Sequence, residues 1–341
     1  MTSNSKMKVI SNIKTIFGQW KKKIQIQLST PIKRKVLQMK IVGVIVNIFK
    51  YILVFGLCFV IVYPLLLQLA VAFRAPTDVN NPTVLWIPGE FSTKNFEVSI
   101  IALNYWKAIK NSFVLAAGVT MLQLVSTSLA GYAFARLKFK GSGLLFGLAL
   151  FTIIVPQTVI SLPLLRSITE MRMVGKPITL FLMAGLGMGI KSGVFIYLFR
   201  QFYRGIPVEL EEAAYMDGAN PFQVFYKIML PNARGAVITI ALLSFVWQWN
   251  DYYFTTLFVT RSNLDYITLT TQQVSVIYGL QQALTEAGVW ALMGQDVTKN
   301  PLFSSMILNT SGILVMLPLL IMYFFVQKLF VQGIERSGIV G

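Results

Sequence analysis

The chain has 341 residues, 55% of them hydrophobic and only 13% charged, with a formal net charge of +17. Soluble domains carry roughly 25% charged residues, so this composition points to a bilayer as solvent. Histidine is absent and Cys58 is the single cysteine, which excludes histidine acid–base catalysis, Cys/His zinc sites and disulfide frameworks; no catalytic residue or metal site is expected.

In chain order, residues 1–46 form a basic leader. Its first 40 residues hold ten Lys/Arg and no acid, as expected of a cytosolic segment beside anionic headgroups. A nucleic-acid-binding tail fits less well, because the leader runs directly into an apolar span. No signal-peptide cleavage site follows it. Val9, Ile13, Phe17 and Trp20 recur at helical spacing, which leaves two readings open: an amphipathic helix on the membrane surface, or a disordered basic tail.

A membrane crossing needs roughly 20 apolar residues. Six runs qualify, at about 47–73, 112–135, 143–165, 178–200, 235–259 and 305–327. The expected fold is therefore all-α, with six transmembrane helices across residues 47–335. Cys58 is expected to be a small buried hydrophobe. Pro64, Pro156, Pro163 and Pro318 fall within these spans and are expected to interrupt them. With the amino terminus inside, twenty Lys/Arg lie on the cytosolic side and nine outside, so both termini are expected in the cytosol. The outer segments 75–110 and 261–304 are long for simple loops. The second holds Tyr278 and Trp290 and is expected to fold and meet an external partner.

Lys191 stands near the middle of the fourth span. A central ammonium costs roughly 2.5–3.5 kcal/mol on insertion scales, so it should face a cavity or an acid such as Asp251. Substrate contact and a structural ion pair are both open. Trp247, Asn250 and Asp251 combine a flat apolar face with polar groups suited to sugars. Tryptophans near a membrane end also serve as interface anchors.

Residues 205–234 read as a polar cytosolic loop of two short helices. Pro207 fits a first helical position, and Glu209, Glu211 and Glu212 complement the positive helix start. Gly218 is placed to end the first helix in a left-handed conformation. Asn220-Pro221 reads as an N-cap with a first-turn proline, and Pro231 closes the second helix. Tyr215, Met216, Phe222 and Phe225 give the hairpin an apolar edge. On these grounds alone, docking to a partner and packing on its own protein are equally open.

The stretch Glu212-Ala213-Ala214 followed by Asp217-Gly218-Ala219, with Pro231 beyond, resembles the coupling (EAA) loop of ATP-binding-cassette importer permeases, specifically the smaller maltose-type membrane subunit of the carbohydrate family. Further landmarks agree: Asn111-Ser112, Ala130-Gly131-Tyr132-Ala133-Phe134-Ala135-Arg136, Phe139-Lys140-Gly141, Phe199-Arg200-Gln201-Phe202 and Trp249-Asn250-Asp251. Coverage runs from about residue 45 to the end. The tail, residues 336–341, ends in Ile339-Val340-Gly341, where the family usually carries a Val-Lys-Gly-like triplet.

The resemblance implies half of a translocation path for a carbohydrate, preferably an oligosaccharide. It implies a heterodimer with a second, related permease, two ABC ATPase subunits and an extracytoplasmic solute-binding protein. Each hairpin would sit in a cleft of one ATPase, with Glu212 paired to a basic group there and Ala213, Ala214 and Gly218 small because the surfaces approach closely. ATP and Mg would belong to the ATPase, since this chain has no phosphate-binding loop: Gly175-Lys176 is followed by Pro177. The rivals are the same machine for a non-sugar solute, and an ATP-independent channel or ion-coupled carrier.

Overall fold

The computed structural model describes residues 31–81, 87–290 and 299–338. The amphipathic reading of the leader and the tail triplet lie outside these residues. The described chain is helical, and its one extended pairing is the isolated bridge between Arg74 and Phe91.

The chain divides into two compact units, residues 1–67 and 68–341. The first unit is represented by most of helix α1, Pro31–Ala72. Its apolar residues point in every direction: Val42, Ile45, Phe49, Ile52, Phe55 and Val60 are all exposed. A helix apolar all round requires a non-aqueous surrounding. Cys58 is exposed on this surface; the expected burial fails because this stretch has no inward face.

The second unit contains α2 (Lys94–Ala102), α3 (Tyr105–Arg136), α4 (Ser142–Ile154), α5 (Gln157–Glu170), α6 (Ile178–Gly185) and α7 (Ser192–Gly205). After these come α8 (Glu209–Met216), α9 (Pro221–Val224), α10 (Arg234–Trp249), α11 (Leu269–Ser275), α12 (Leu280–Glu286) and α13 (Pro301–Gly338). Helix α3 is central, packing on α7, α10 and α6, while α10 also packs on α13.

Within the described residues, three helices are each long and apolar enough to cross a membrane, at 34–72, 105–136 and 301–328. Two bent pairs raise this to five. The expected third span is not continuous: α4 and α5 meet at a 106° corner. Pro156 has no N–H to continue the ladder, and it holds Val155 extended at φ −65°, ψ 123°. Pro64, Pro163 and Pro318, by contrast, lie inside unbroken helices.

The expected fourth span is divided into α6 and α7 by residues 186–191, where Gly187 and Lys191 take positive φ. The expected fifth ends its regular helix at Trp249 and resumes at Tyr253–Thr255, which leads into a π-helical turn, Thr256–Thr260.

The described parts of segments 75–110 and 261–304, expected to lie outside, carry helices of their own. Helix α12 packs on α2, and α13 packs on α2 and α11, around Val98, Leu103, Leu269, Leu280, Phe303 and Ile307. A reciprocal capping box between Thr268 and Thr271 starts α11. Asn111 Nδ2 donates to the carbonyls of Asp265 (2.8 Å) and Ile267 (2.9 Å), and Ser112 Oγ accepts from Leu269 N at 2.8 Å. This pair therefore fastens the outer segment to the start of α3.

Small residues decide how closely α3 and α7 approach. A Cβ on Gly131 would lie 2.5 Å from Phe199 Cβ and 3.1 Å from Arg200 N. One of these neighbours is backbone, so it cannot swing aside. Gly131→Ala is expected to cost about 1–3 kcal/mol through overpacking, visible as a lowered thermal unfolding midpoint of the detergent-solubilised protein. An unchanged midpoint would mean that the helices part without cost.

Candidate functional site: a hairpin and a cavity

The hairpin begins where α7 ends. Pro207 stands just before the helical turn, since Glu211 and Glu212 N–H both donate to Val208 O (2.9 and 3.1 Å) and α8 starts at Glu209; the expected first helical position is displaced outward. Gly218 has φ +81°, and Ala219 N donates to Ala214 O at 2.9 Å. An added Cβ at Gly218 would meet no atom within 4 Å, so backbone conformation within this chain demands the glycine.

Asn220 Oδ1 accepts from Gln223 N while Gln223 Oε1 accepts from Asn220 N, both at 2.9 Å. This capping box fixes the start of α9. The helix continues through a π turn, Phe225–Met229, into Leu230–Asn232. Pro231 cannot donate to the carbonyl four residues back, which favours the wider turn. The chain then bends by 79° into α10.

The acids of α8 divide between two environments. Glu211 is buried, and its Oε1 lies 2.7 Å from Arg136 Nε at the end of α3. The contact is an ion pair without aligned hydrogen-bond geometry. Arg136 also donates to Ile206 O. Burial raises the Glu211 pKa above the usual carboxylate range, and Arg136 opposes that rise. Glu212 is exposed and has no ion pair among the described residues.

Behind the hairpin, Tyr132, Phe199, Tyr203 and Phe225 pack ring to ring, with centroids 5.3 Å (Tyr132–Phe225) to 6.3 Å (Tyr203–Phe225) apart. Arg200 Nε donates to Phe134 O at 3.2 Å, and its guanidinium lies 4.0 Å over the Phe146 ring. Phe225 is therefore an anchor rather than part of the exposed edge, because the π turn rotates it inward. Tyr215, Met216 and Phe222 do form such an edge, with Met216 88% exposed. Ala213 and Asp217 are exposed; Ala214 is buried against this chain's own core.

A cavity of about 500 Å³ lies along residues 152–156 and 187–194, with Thr158, Ile160 and Tyr253. Gln123 organises one side of it. Its Nε2 donates to Ile190 O (2.7 Å) and Ser192 Oγ (2.8 Å), and its Oε1 accepts from Ser244 Oγ at 2.7 Å. One buried amide thus ties α3 to α10 and to the 186–191 break. The sequence signal for it was a lone Gln in an apolar helix. Lys191 lines the cavity with φ +59°, a left-handed posture that costs roughly 1–2 kcal/mol in an L-residue.

The other expected path residues stand elsewhere. Trp247 stacks on Phe195 at 5.3 Å, in the core behind the hairpin. Asn250 donates to Val246 O at 2.9 Å on the surface. Asp251 does not pair with Lys191: its carboxylate accepts from Phe254 N (3.2 Å), Thr255 N (2.7 Å) and Thr255 Oγ1 (2.7 Å). It caps the next turn, and local N–H donors occupy it. Tyr253, absent from the expected set, lines the cavity instead, its hydroxyl 2.8 Å from Ser161 Oγ.

Comparison with known proteins places this geometry in context. The family model described as "Binding-protein-dependent transport system inner membrane component" matches residues 127–336. The chain is 29% identical to an arabinooligosaccharides transport system permease protein, AraQ, of Halalkalibacterium halodurans, over 84% of this chain and 93% of that protein. It is 26% identical to the sn-glycerol-3-phosphate transport system permease protein UgpE of Escherichia coli, over 82% of this chain and 92% of that one. A crystal structure of a bacterial ABC transporter that imports the acidic polysaccharide alginate contains a chain of the same fold, with TM-score 0.69 at 20% identity, covering 83% of this chain and 96% of that chain.

Proposed function

Because the chain belongs to the family of binding-protein-dependent transport system inner membrane components, we propose that it forms half of the membrane passage of a bacterial ATP-driven carbohydrate importer. An oligosaccharide is the preferred cargo, in keeping with the arabinooligosaccharide permease it resembles along most of both lengths. The chain crosses the membrane six times with both termini in the cytosol. It pairs with a second, related permease, two ABC ATPases that bind ATP and Mg, and an extracytoplasmic solute-binding protein. The chain itself is a transport subunit and not an enzyme.

The observation that carries this reading is the hairpin of residues 206–233. It is stiffened by a capping box and a glycine stop, fastened to α3 by Arg136 and Glu211, and presents Glu212, Ala213, Met216 and Asp217 outward. Such an element transmits displacement of a docked ATPase into α3, which packs on α6, α7 and α10. Glu212, Ala213, Asp217 and Gly218 provide the docking side; Ala214 and Pro231 shape the hairpin from within. A purely structural hairpin would have no need to display the unpaired Glu212 beside the 88% exposed Met216.

The glycerol-3-phosphate permease among the relatives supports a second reading, the same machine with a non-sugar cargo. Affinity purification from the native membrane tests the assembly. A cassette ATPase and a second permease should co-elute in matching amounts, and an intact chain that elutes alone would favour an ATP-independent carrier. A panel of oligosaccharides and glycerol phosphates, scored by ATPase stimulation of the purified complex, separates the two cargo readings.

A further inference from the structure

The cavity wall contains one charged side chain, Lys191, and no Asp or Glu. Among the described residues no ion pair includes this lysine, and the acid expected to face it, Asp251, is engaged by three donors of its own turn. Around Lys191 the wall alternates hydroxyls (Thr152, Thr158, Ser192, Tyr253) with apolar groups such as Ile154 and Met188.

The segment that carries the lysine is held from outside the cavity. Gln123 grips Ile190 O and Ser192 Oγ on either side of it. A Cβ on Gly189 would stand 2.9 Å from Gln123 Nε2, so this grip closes directly over the backbone. The arrangement fixes the lysine's backbone while its four-carbon stem and three donors stay free.

A cation at membrane depth faces a water-filled cavity or a partner group, and the described residues offer Lys191 no acid at the cavity. We propose that the counter-charge is the cargo: the passage takes a carbohydrate bearing a carboxylate or phosphate, and Lys191 receives that anion while the hydroxyl and apolar wall meets the sugar ring. This inference rests on the carbohydrate-importer reading above and narrows it from sugars in general to anionic ones. A single cation in a low-dielectric cleft raises the local concentration of an anionic cargo and gives nothing comparable to a neutral one.

The test uses the whole transporter, with its partner subunits and solute-binding protein, in proteoliposomes supplied with ATP. Labelled cargo is offered in matched pairs: trigalacturonate against its neutral methyl ester, and glucose 6-phosphate against glucose. Binding protein is kept saturating, so that its own selectivity does not dominate the rate. The anionic member of one pair is expected to enter and its neutral partner not, which also tells carboxylate from phosphate. Lys191→Met is expected to lower that uptake on the order of tenfold or more, and Lys191→Arg to retain most of it, with the same yield of assembled complex.

Three results overturn the proposal. If neutral oligosaccharides of a wider malto-, xylo- and arabino- panel enter and Lys191→Met leaves their uptake intact, anion recognition fails while the carbohydrate reading stands. Loss of the assembled complex in Lys191→Met, restored by arginine, would assign the lysine to a carboxylate of the partner permease. If no sugar of either kind enters an intact complex, the carbohydrate reading fails and the inference falls with it.

Discussion

Reversing the charge at position 212 is expected to uncouple the transporter. In Glu212→Arg, insertion and folding should be normal, because the Glu212 side chain is exposed and the hairpin's capping bonds do not involve it. What changes is the face offered to the ATPase. Removing one member of a buried, hydrogen-bonded charge pair at an interface costs about 2–5 kcal/mol, which corresponds to roughly thirty-fold or more in affinity; reversal adds repulsion. Uptake in cells should therefore fall to near background, and less ATPase should co-purify. Full uptake by a normally inserted Glu212→Arg protein would show that the hairpin does not engage a partner through this residue.

The second large effect is expected one residue earlier. Glu211 is buried and Arg136 half-buried, with side-chain exposures of 7% and 14%. Arg136→Met leaves the Glu211 carboxylate without its counter-charge. Breaking such a pair from one side costs about 3–5 kcal/mol, so the hairpin should loosen from α3 and become susceptible to proteolysis.

The pH dependence follows from the sign of the shift. Burial already raises Glu211, and loss of Arg136 removes the group that holds it down. The variant's folded-state pKa then lies further above the unfolded value. Below the unfolded pKa both states are protonated and no penalty arises. The penalty grows as pH rises between the two values and is complete above the folded one. Acidification should therefore partly rescue Arg136→Met. The double variant Arg136→Met with Glu211→Leu should regain most of the lost stability, since a packed apolar pair avoids the desolvation cost. A pH-independent defect, or no recovery in the double variant, would place the effect elsewhere.

Much of the hairpin was legible because its signals are local. Asn220-Pro221 and Gly218 act on backbone groups within four residues, and the structure has the capping box and the left-handed glycine at those places. Three of the apolar runs were legible by length alone, since they lie on helices long enough to cross a membrane.

Continuity of the runs was harder to read. Four prolines looked equivalent in sequence, yet only Pro156 marks a corner. Whether a freed carbonyl finds another partner depends on neighbouring helices. The choice between Glu211 and Glu212 was equally hidden: successive helical residues point about 100° apart, and only the end of α3 decides which meets Arg136. Asp251 was different, because its signal was available. An acid three and four residues before Phe254 and Thr255 has the spacing of an N-cap, and that local role displaces a distant pairing with Lys191.

The central claim is that the hairpin of residues 206–233 docks on an ATPase. Photocrosslinking from Met216→p-benzoylphenylalanine, at the 88% exposed tip of the apolar edge, reaches it most directly. The predicted result, in native membranes, is one dominant adduct with a cassette ATPase, its yield changed by ATP and abolished by Glu212→Arg. Adducts confined to lipid or to this chain itself, with uptake intact, would contradict the account.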